Sequence, residues 1–235
     1  IDGECIYAVD ETGFQAGEGR TERVIGAAGT YHQHQQRSGG RENMTVIVTI
    51  CADGTAGPPA VIFKGKAYHI GYAKKGWTTG EIGRLWIEGF DNDTRDKANG
   101  RTRLLLVDGH NSHYTRDFLE YAREAGIVIL CYPSHTTHVY QGLDVVIFSP
   151  LKRYWSQERD AYEREHGAII SKENFLAVYS AAHARAMTPS NIQMAFQKTG
   201  VWPYNPDIIS KKAMAPAKET SRRAHIPVPP PTPVR

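Results

Sequence analysis

Two apolar segments separated by one amphipathic segment constrain the fold of this 235-residue chain most strongly. Residues 104–107 and 127–132 are continuous apolar runs, which are typical of strands buried on both faces of a sheet. Between them, Thr115 can cap a helix that Gly126 ends. A strand, a helix and a strand within such a short span predict parallel pairing of the two strands through a right-handed crossover.

The other apolar segments predict an antiparallel meander at the start of the chain. Residues 5–9, 45–51 and 59–64 are short runs rich in β-branched and aromatic residues, and the first of these strands should end at Asp10. Residues 24–28 favour a further, weaker strand. Joined to the parallel pair, these segments predict an α/β fold with a mixed five-stranded sheet flanked by helices.

Helical patterns lie on both sides of the parallel unit. In residues 79–90 the apolar spacing predicts a helix, followed by a polar loop. Residues 144–165 and 171–187 predict two more helices, and a last helix should begin after Thr188 and end at Gly200. The predicted core face of the first of these helices consists of Ile82, Leu85, Trp86 and Phe90.

The composition is that of an ordinary globular protein, with 40% hydrophobic and 23% charged residues. A net charge of +3 does not by itself indicate a nucleic-acid-binding chain, so any basic surface must be local. We predict one α/β domain over residues 1–206, extended by helices from about residue 151. A basic, proline-rich flexible tail over residues 207–235 should follow it.

The cysteines and the first residue bear on the compartment and on completeness. Cys5, Cys51 and Cys131 are odd in number and widely separated, which favours reduced thiols in an intracellular compartment over a disulfide framework. No apolar run approaches the roughly 18 residues that a membrane span needs, so we expect no membrane partner. Because the chain begins at Ile1 rather than Met, we expect a fragment or an excised domain.

Three carboxylates lie at the ends of apolar segments. Asp10 and Asp108 follow predicted strands directly, and Asp144 opens a predicted helix. Three carboxylates packed together would repel one another, and a hard divalent cation relieves that repulsion with the oxygen ligands that it prefers. Two such ions about 4 Å apart can activate an attacking oxygen and stabilise a leaving oxygen in phosphoryl transfer. The sequence therefore predicts a site for phosphoryl chemistry on a polynucleotide.

The motifs around these carboxylates resemble the DDE superfamily endonuclease domain of the pogo/Tigger/jerky group of transposases, which has an RNase H-like fold. They read Asp-Glu-Thr-Gly from Asp10, Asp-Gly-His-x-Ser-His from Asp108, and Pro-x-His-Thr-Thr-His from Pro133 with Leu-Asp-Val around Asp144. Supporting matches begin at Ile62 (Ile-Phe-Lys-Gly), Gly76 (Gly-Trp-Thr-Thr), Phe148 (Phe-x-Pro-Leu-Lys) and Phe196 (Phe-x-Lys-Thr-Gly-x-x-Pro). The resemblance extends from about Cys5 to Pro206.

The resemblance implies cut-and-paste transposition by the catalytic domain of a DNA transposase. Asp10, Asp108 and Asp144 would be the catalytic metal ligands, holding two Mg²⁺ or Mn²⁺ ions. The partners would be double-stranded DNA, both transposon ends and target, and a second copy of the chain in a homodimer. A DNA substrate and this family together place the protein in the nucleus.

Histidines near the carboxylates admit two interpretations. Two His-x-x-His pairs could hold zinc, but both lie on loops after strands. We favour a role in which they orient the carboxylates or contact the scissile phosphate, together with Glu11. The candidates for this role are Glu11, His110, His113, His135 and His138.

Lysines interleaved with aromatic residues suit contact with DNA phosphates and bases, although a solvated loop explains the same pattern equally well. These candidates are Lys64, Lys66, Lys74 and Lys75.

Two departures from the family keep a second function open. The family usually has proline where Gly142 stands, and glycine beside Asp144 should loosen the backbone by about 1 kcal/mol. The helix-turn-helix region with which such transposases find their terminal repeats is not part of this sequence. The alternative is therefore a domesticated or decayed relative that binds DNA or protein without cleavage, and a weaker one is a metal-dependent nuclease unrelated to transposition.

Overall fold

The structure is a computed structural model that describes residues 1–15, 43–64, 72–73, 80–108, 115–133 and 136–209. The strands are β1 Ile6–Gln15, β2 Asn43–Cys51, β3 Ala60–Lys64, β4 Tyr72–Ala73, β5 Arg103–Val107 and β6 Ile127–Cys131. The helices are α1 Gly80–Ala98, α2 Arg116–Glu124, α3 Thr137–Tyr140, α4 Phe148–His166, α5 Lys172–Ala186 and α6 Pro189–Lys198. A π-helical turn, Leu143–Ile147, runs directly into α4, and a 3₁₀ turn, Gly3–Cys5, precedes β1.

The strands form one mixed sheet in the order β4-β3-β2-β1-β5-β6. β1, β2 and β3 pair antiparallel, and β1, β5 and β6 pair parallel, so the predicted meander and the predicted parallel unit are both confirmed. The two-residue β4 adds a sixth strand to the five that the sequence predicts. The weak strand predicted at 24–28 and the tail from residue 210 lie outside the described residues.

The crossover between β5 and β6 forms as its sequence signals predict. The Thr115 hydroxyl accepts a hydrogen bond from the Phe118 N–H and so caps α2. Gly126, with a φ of 70°, turns the chain out of the helix into β6. Phe118 and Ala122 of α2 are buried against the sheet, whereas Leu119 is 44% exposed.

The sheet separates two apolar layers. On one face, Tyr7 and Val9 of β1 pack with the buried residues of α1 and α2. On the other face, Ile6 and Ala8 pack with the π-helical turn, α4, α5 and α6. Because successive side chains of a strand point to opposite faces, even-numbered positions of β1 face the C-terminal helices. This alternation places the candidate site residues.

Three sequence predictions of element boundaries and burial are wrong. β1 does not end at Asp10, because pairing with β2 continues to Gln15. α1 does not end near Phe90 but continues to Ala98, since the polar residues after Phe90 are satisfied in the helix: buried Thr94 donates its hydroxyl to the Phe90 carbonyl. β6 is an edge strand rather than a buried one, with Leu130 53% exposed.

Candidate active site

The parallel register of β1 and β5 sets two of the predicted carboxylates side by side. Ala8 lies opposite Leu106 in the last pair of this ladder, and Asp10 and Asp108 each follow two residues later, so the continued register leads both to neighbouring positions. Adjacent strands are about 4.8 Å apart, and positions opposite each other project to the same face. Since Leu106 belongs to the layer of the C-terminal helices, Asp108, two residues on, projects to that layer as well.

The π-helical turn brings the third carboxylate to the same face. Leu143 and Ile147 are fully buried among the C-terminal helices, which seats the turn against β1 and α6. Asp144 follows Leu143 and lies on the exposed side of the turn. The two strands and the turn therefore direct Asp10, Asp108 and Asp144 to one end of one face of the sheet.

The electrostatics of Asp10 show that these carboxylates interact. Burial, followed by the charges of Asp144 and Asp108, raises the pKa of Asp10 from 3.8 to about 8. A hydrogen bond of 2.7 Å from the Glu11 N–H to Asp10 Oδ1 opposes this shift without cancelling it. At neutral pH the site thus binds a proton to relieve a negative charge that a cation could neutralise instead.

Two residues that the sequence interpretation missed belong to this electrostatic neighbourhood. Burial, followed by the charges of Asp10, Asp108 and Asp144, raises the pKa of Tyr132, which lies just after β6. Partial burial and the charge of Asp108 raise the pKa of Asp144, while Lys152 lowers it. Lys152 follows Asp144 by two helical turns, a spacing that the sequence displays but that is informative only once the helix is known to be continuous.

Gly142 is held by close packing. It has helical φ and ψ of −59° and −30°, and a Cβ added there would lie 2.9 Å from the Ala195 carbonyl oxygen of α6. That atom belongs to the backbone and cannot move aside easily. The close approach of α6 gives a physical reason for glycine where the family has proline, because the position has no room for a side chain.

The donor set fits a hard cation in chemistry. Carboxylate oxygens are the preferred ligands of Mg²⁺ and Mn²⁺. Within the residues that the structure describes, no three His, Cys, Asp or Glu side chains come close enough together to hold one ion. The assignment of Asp10, Asp108 and Asp144 as metal ligands therefore stays a prediction.

The remaining predicted residues are placed only in part. Glu11 follows Asp10 in β1 and so points to the opposite face of the sheet, although its charge still raises the pKa of Asp10. His138 is exposed on the short α3, and Lys64 is the last residue of β3. The other candidates lie outside the described residues; they are His110, His113, His135, Lys66, Lys74 and Lys75.

Comparison with known proteins adds a family and a relative. The sequence model of the family described as DDE superfamily endonuclease matches residues 41–196, which is more than half of the chain. A curated relative from Cochliobolus lunatus, named MFS-type transporter clz9, is 37% identical over 223 residues, covering 89% of this chain. The chain spans 24% of the length of that relative. In the described part of the chain, no helix combines the length and the apolar character that crossing a membrane requires.

Solved structures of the Mos1 transposase share the fold. The Mos1 mariner paired-end complex with Mn is 11% identical with a TM-score of 0.56, over 87% of this chain and 56% of that one. The Mos1 catalytic domain with Raltegravir and Mn is 10% identical with a TM-score of 0.52, over 83% of this chain and 78% of that one. The pre-cleavage Mos1 transpososome is 10% identical with a TM-score of 0.52, over 84% of this chain and 56% of that one. The likeness confirms the predicted RNase H-like fold.

Proposed function

Since this chain belongs to the DDE superfamily endonuclease family, we propose that it is the catalytic domain of a DNA transposase, which cleaves DNA strands and transfers the freed 3′ ends to a target. Its relatives in fold include a transposase bound to paired transposon ends, which supports double-stranded DNA as the substrate. The paired-end arrangement of that relative also supports action as a homodimer, and a chromosomal DNA substrate supports a nuclear location.

One observation carries the proposal. Asp10 and Asp108 each lie two residues beyond the paired Ala8 and Leu106, on the face of the sheet where the π-helical turn lies with Asp144. These three carboxylates are the proposed ligands of two Mg²⁺ or Mn²⁺ ions, and relatives in fold have been solved with Mn and with Mg. Burial first, and then the charge of Asp144, raises the pKa of Asp10, which supports a site where carboxylates lie close together.

Each residue of the site would have a different role in the reaction. Asp10 and Asp108, fixed on paired strands, would set the position of the reacting phosphate, whereas Asp144 would approach it from the π-helical turn. Bound divalent ions would supply the positive charge that orders phosphate oxygens and activates water or a 3′-hydroxyl. Burial and the charge of Asp108 raise the pKa of Asp144, and Lys152 would oppose that shift and favour the ionised carboxylate.

A cleavage assay tests the proposal. The protein is incubated with supercoiled plasmid and with labelled duplex DNA in Mn²⁺, beside the Asp108→Ala variant. We expect nicking by the parent protein and at least a hundredfold less by the variant, as about that much or more is lost when a group acting on the transition state is removed. Asp117→Asn, an exposed substitution on α2, is the matched control and should keep full activity.

DNA binding without cleavage by either the parent or Asp108→Ala would contradict the proposal and support the non-cleaving relative. The absence of a preformed three-ligand group among the described residues is the observation that keeps this second candidate in view. A metal titration separates the two independently of DNA. Mn²⁺ should raise the Tm of the parent protein and not that of Asp108→Ala if the carboxylates bind the ion.

A further inference from the structure

Tyr132 lies in register with two of the candidate carboxylates at the end of the sheet. The ladder between β5 and β6 pairs Leu106 with Leu130, and Asp108 and Tyr132 each follow two residues later. The backbone N–H of Tyr132 donates to a carbonyl of β5 at 3.0 Å, so the pairing continues beyond the end of β6. The ladder between β1 and β5 leads to Asp10 in the same way. The ends of three adjacent strands therefore bring Asp10, Asp108 and Tyr132 to one face of the sheet.

The ring of Tyr132 lies beside the floor of the candidate site. The residue is 9% exposed and belongs to the apolar layer of the C-terminal helices. It lines a small cavity together with Ala8 of β1 and Gly142, which directly precedes the π-helical turn. Ala8 and Gly142 each stand two residues before a carboxylate of the site. The phenol therefore reaches from the edge strand towards the backbone segments that hold Asp10 and Asp144.

The Tyr132 hydroxyl is a neutral hydrogen-bond donor at physiological pH. Burial, followed by the charges of Asp10, Asp108 and Asp144, raises the pKa of this phenol above its usual value of about 10. Among the three carboxylates, Asp10 has the largest effect. A phenolate would add a fourth negative charge to the candidate site, whereas the protonated phenol offers a hydrogen to a carboxylate oxygen.

This donor and the carboxylate of Asp10 complement each other. Within the described part of the chain, the Tyr132 hydroxyl makes no hydrogen bond, although most buried polar groups have a partner. Asp10 Oδ1 accepts the Glu11 N–H at 2.7 Å. Because an ionised carboxylate has about four acceptor sites, Asp10 retains the capacity to accept a second hydrogen bond.

We propose that Tyr132 is a positioning residue of the candidate site, whose hydroxyl donates a hydrogen bond to the ionised carboxylate of Asp10 and fixes its orientation towards a divalent ion. The inference rests on the proposed function, because it takes Asp10 to be a metal ligand. Tyr132 acts through Asp10 and touches neither the ion nor DNA. Removing a group that orients a metal ligand typically weakens metal binding by about 10–100-fold.

The substitution Tyr132→Phe tests this inference, because it removes the hydroxyl and keeps the ring. We expect its affinity for Mn²⁺, measured by electron paramagnetic resonance of the free ion, to fall at least about tenfold. Its Tm in EDTA should stay close to that of the parent protein, since the ring still fills the apolar layer.

Tyr179→Phe is the matched control. Tyr179 is buried in the same apolar layer, and its hydroxyl lies 3.1 Å from His183 Nδ1 of the same helix. This variant also loses a buried phenolic hydroxyl, but from a residue of α5 rather than from the row at the end of the sheet. It should bind Mn²⁺ as tightly as the parent protein does.

Carbon-13 NMR of the parent protein gives a second test that does not depend on a variant folding. The protein is labelled at tyrosine Cζ, and spectra are recorded with Mg²⁺ in an equal mixture of H₂O and D₂O. A hydroxyl held in a hydrogen bond exchanges slowly and gives separate Cζ signals for its protonated and deuterated forms. We expect two signals for Tyr132, and one averaged signal would contradict the inference.

The outcomes separate this inference from the proposed function. Equal Mn²⁺ affinities for the parent protein and Tyr132→Phe would overturn the inference, leave the proposed metal site intact and show that Tyr132 only fills the core. An equal loss of affinity in Tyr179→Phe would overturn it as well, because the effect would then come from the fold. If the parent protein itself does not bind Mn²⁺, both the inference and the proposed metal site are wrong.

Discussion

The fold disfavours a negative charge on Asp10 at neutral pH. Its pKa is raised from 3.8 to about 8, so the folded state binds this proton more tightly than the unfolded state does. Folding stability from this group is therefore present at low pH and is lost as the pH rises from about 4 through about 8. We expect Asp10→Asn in EDTA to raise the Tm relative to the parent protein at pH 8 and to leave it nearly unchanged at pH 4.

The control for this prediction is Asp117→Asn, which removes an exposed carboxylate of α2 and should give a pH profile parallel to that of the parent. Added Mg²⁺ should raise the Tm of the parent protein at pH 8 but not that of Asp10→Asn, since the amide cannot supply the charge that the ion needs. Parallel profiles for the parent and Asp10→Asn in EDTA would show that Asp10 ionises as an ordinary surface carboxylate.

At this scale the sequence predicts the carboxylates but not their surroundings. Asp10 and Asp108 could be proposed because each follows an apolar run that predicts a strand. Tyr132 and Lys152 could not, because their nearness to the carboxylates depends on how β6 and α4 pack. The reason for glycine at position 142 could not be predicted either, because the close contact with Ala195 depends on how α6 packs.

The buried carboxylate of Asp91 links α1 to β5 and α2. Asp91 Oδ1 lies 2.7 Å from Arg103 Nη2 of β5, and the Tyr121 hydroxyl of α2 donates to Asp91 Oδ2 at 3.0 Å. Although burial alone would raise the pKa of Asp91, the hydrogen bonds from Arg95, Arg103 and Tyr121 lower it. These bonds therefore connect three elements through a single ionised side chain.

Removing this charge should destabilise the fold strongly. Asp91→Asn leaves the buried guanidinium of Arg103 uncompensated, and we expect a loss of about 3 kcal/mol in the free energy of unfolding, measured in urea. Because the pKa of Asp91 is lowered, its stabilisation is complete above about pH 4 and disappears as the pH falls below that value, so the variant should differ least in acid. Asp96→Asn on the same helix should be neutral; equal losses for both would contradict this account.

Helix length and strand burial were the elements that sequence patterns predicted least well. Asp91 and Thr94 read as loop residues because polar side chains rarely lie in a core, and only the fold supplies Arg103 as their partner. β6 reads as buried because its residues are all apolar, whereas burial depends on its place in the sheet. The strand order, which no local pattern contains, puts β6 at the edge.

The edge position of β6 predicts that a leucine in β6 contributes less to stability than a leucine in β5. Leu106 of β5 is 3% exposed and Leu130 of β6 is 53% exposed. Leu106→Ala should cost about 2–5 kcal/mol, because it leaves a cavity in the core. Leu130→Ala should cost less than about 0.5 kcal/mol, as surface substitutions do. Thermal unfolding followed by circular dichroism measures both, and a large loss at Leu130 would indicate that β6 is covered.

The C-terminal helices α4, α5 and α6 pack on the face of the sheet opposite α1. Phe175 and Tyr179 of α5 and Ile192 of α6 belong to the same apolar layer as β1 and the π-helical turn. The C-terminal helices are therefore part of the core that positions Asp144. The position of the candidate site thus depends on residues far from it in the sequence.

The contact between Gly142 and α6 tests this dependence. Gly142→Pro restores the residue usual in the family, and its φ of −59° suits proline, so a loose backbone would gain stability from the change. The structure indicates the opposite, because any Cβ at this position meets the Ala195 carbonyl oxygen at 2.9 Å. We expect Gly142→Ala and Gly142→Pro each to lower the Tm, weaken Mn²⁺ binding and reduce DNA cleavage together, since displacement of the turn carries Asp144 with it.

Gly89→Ala is the control, because Gly89 of α1 has open space around it. This substitution should stabilise the protein by about 1 kcal/mol and leave cleavage unchanged. A gain in stability for Gly142→Pro would mean that the turn can move away from α6 without disturbing the site.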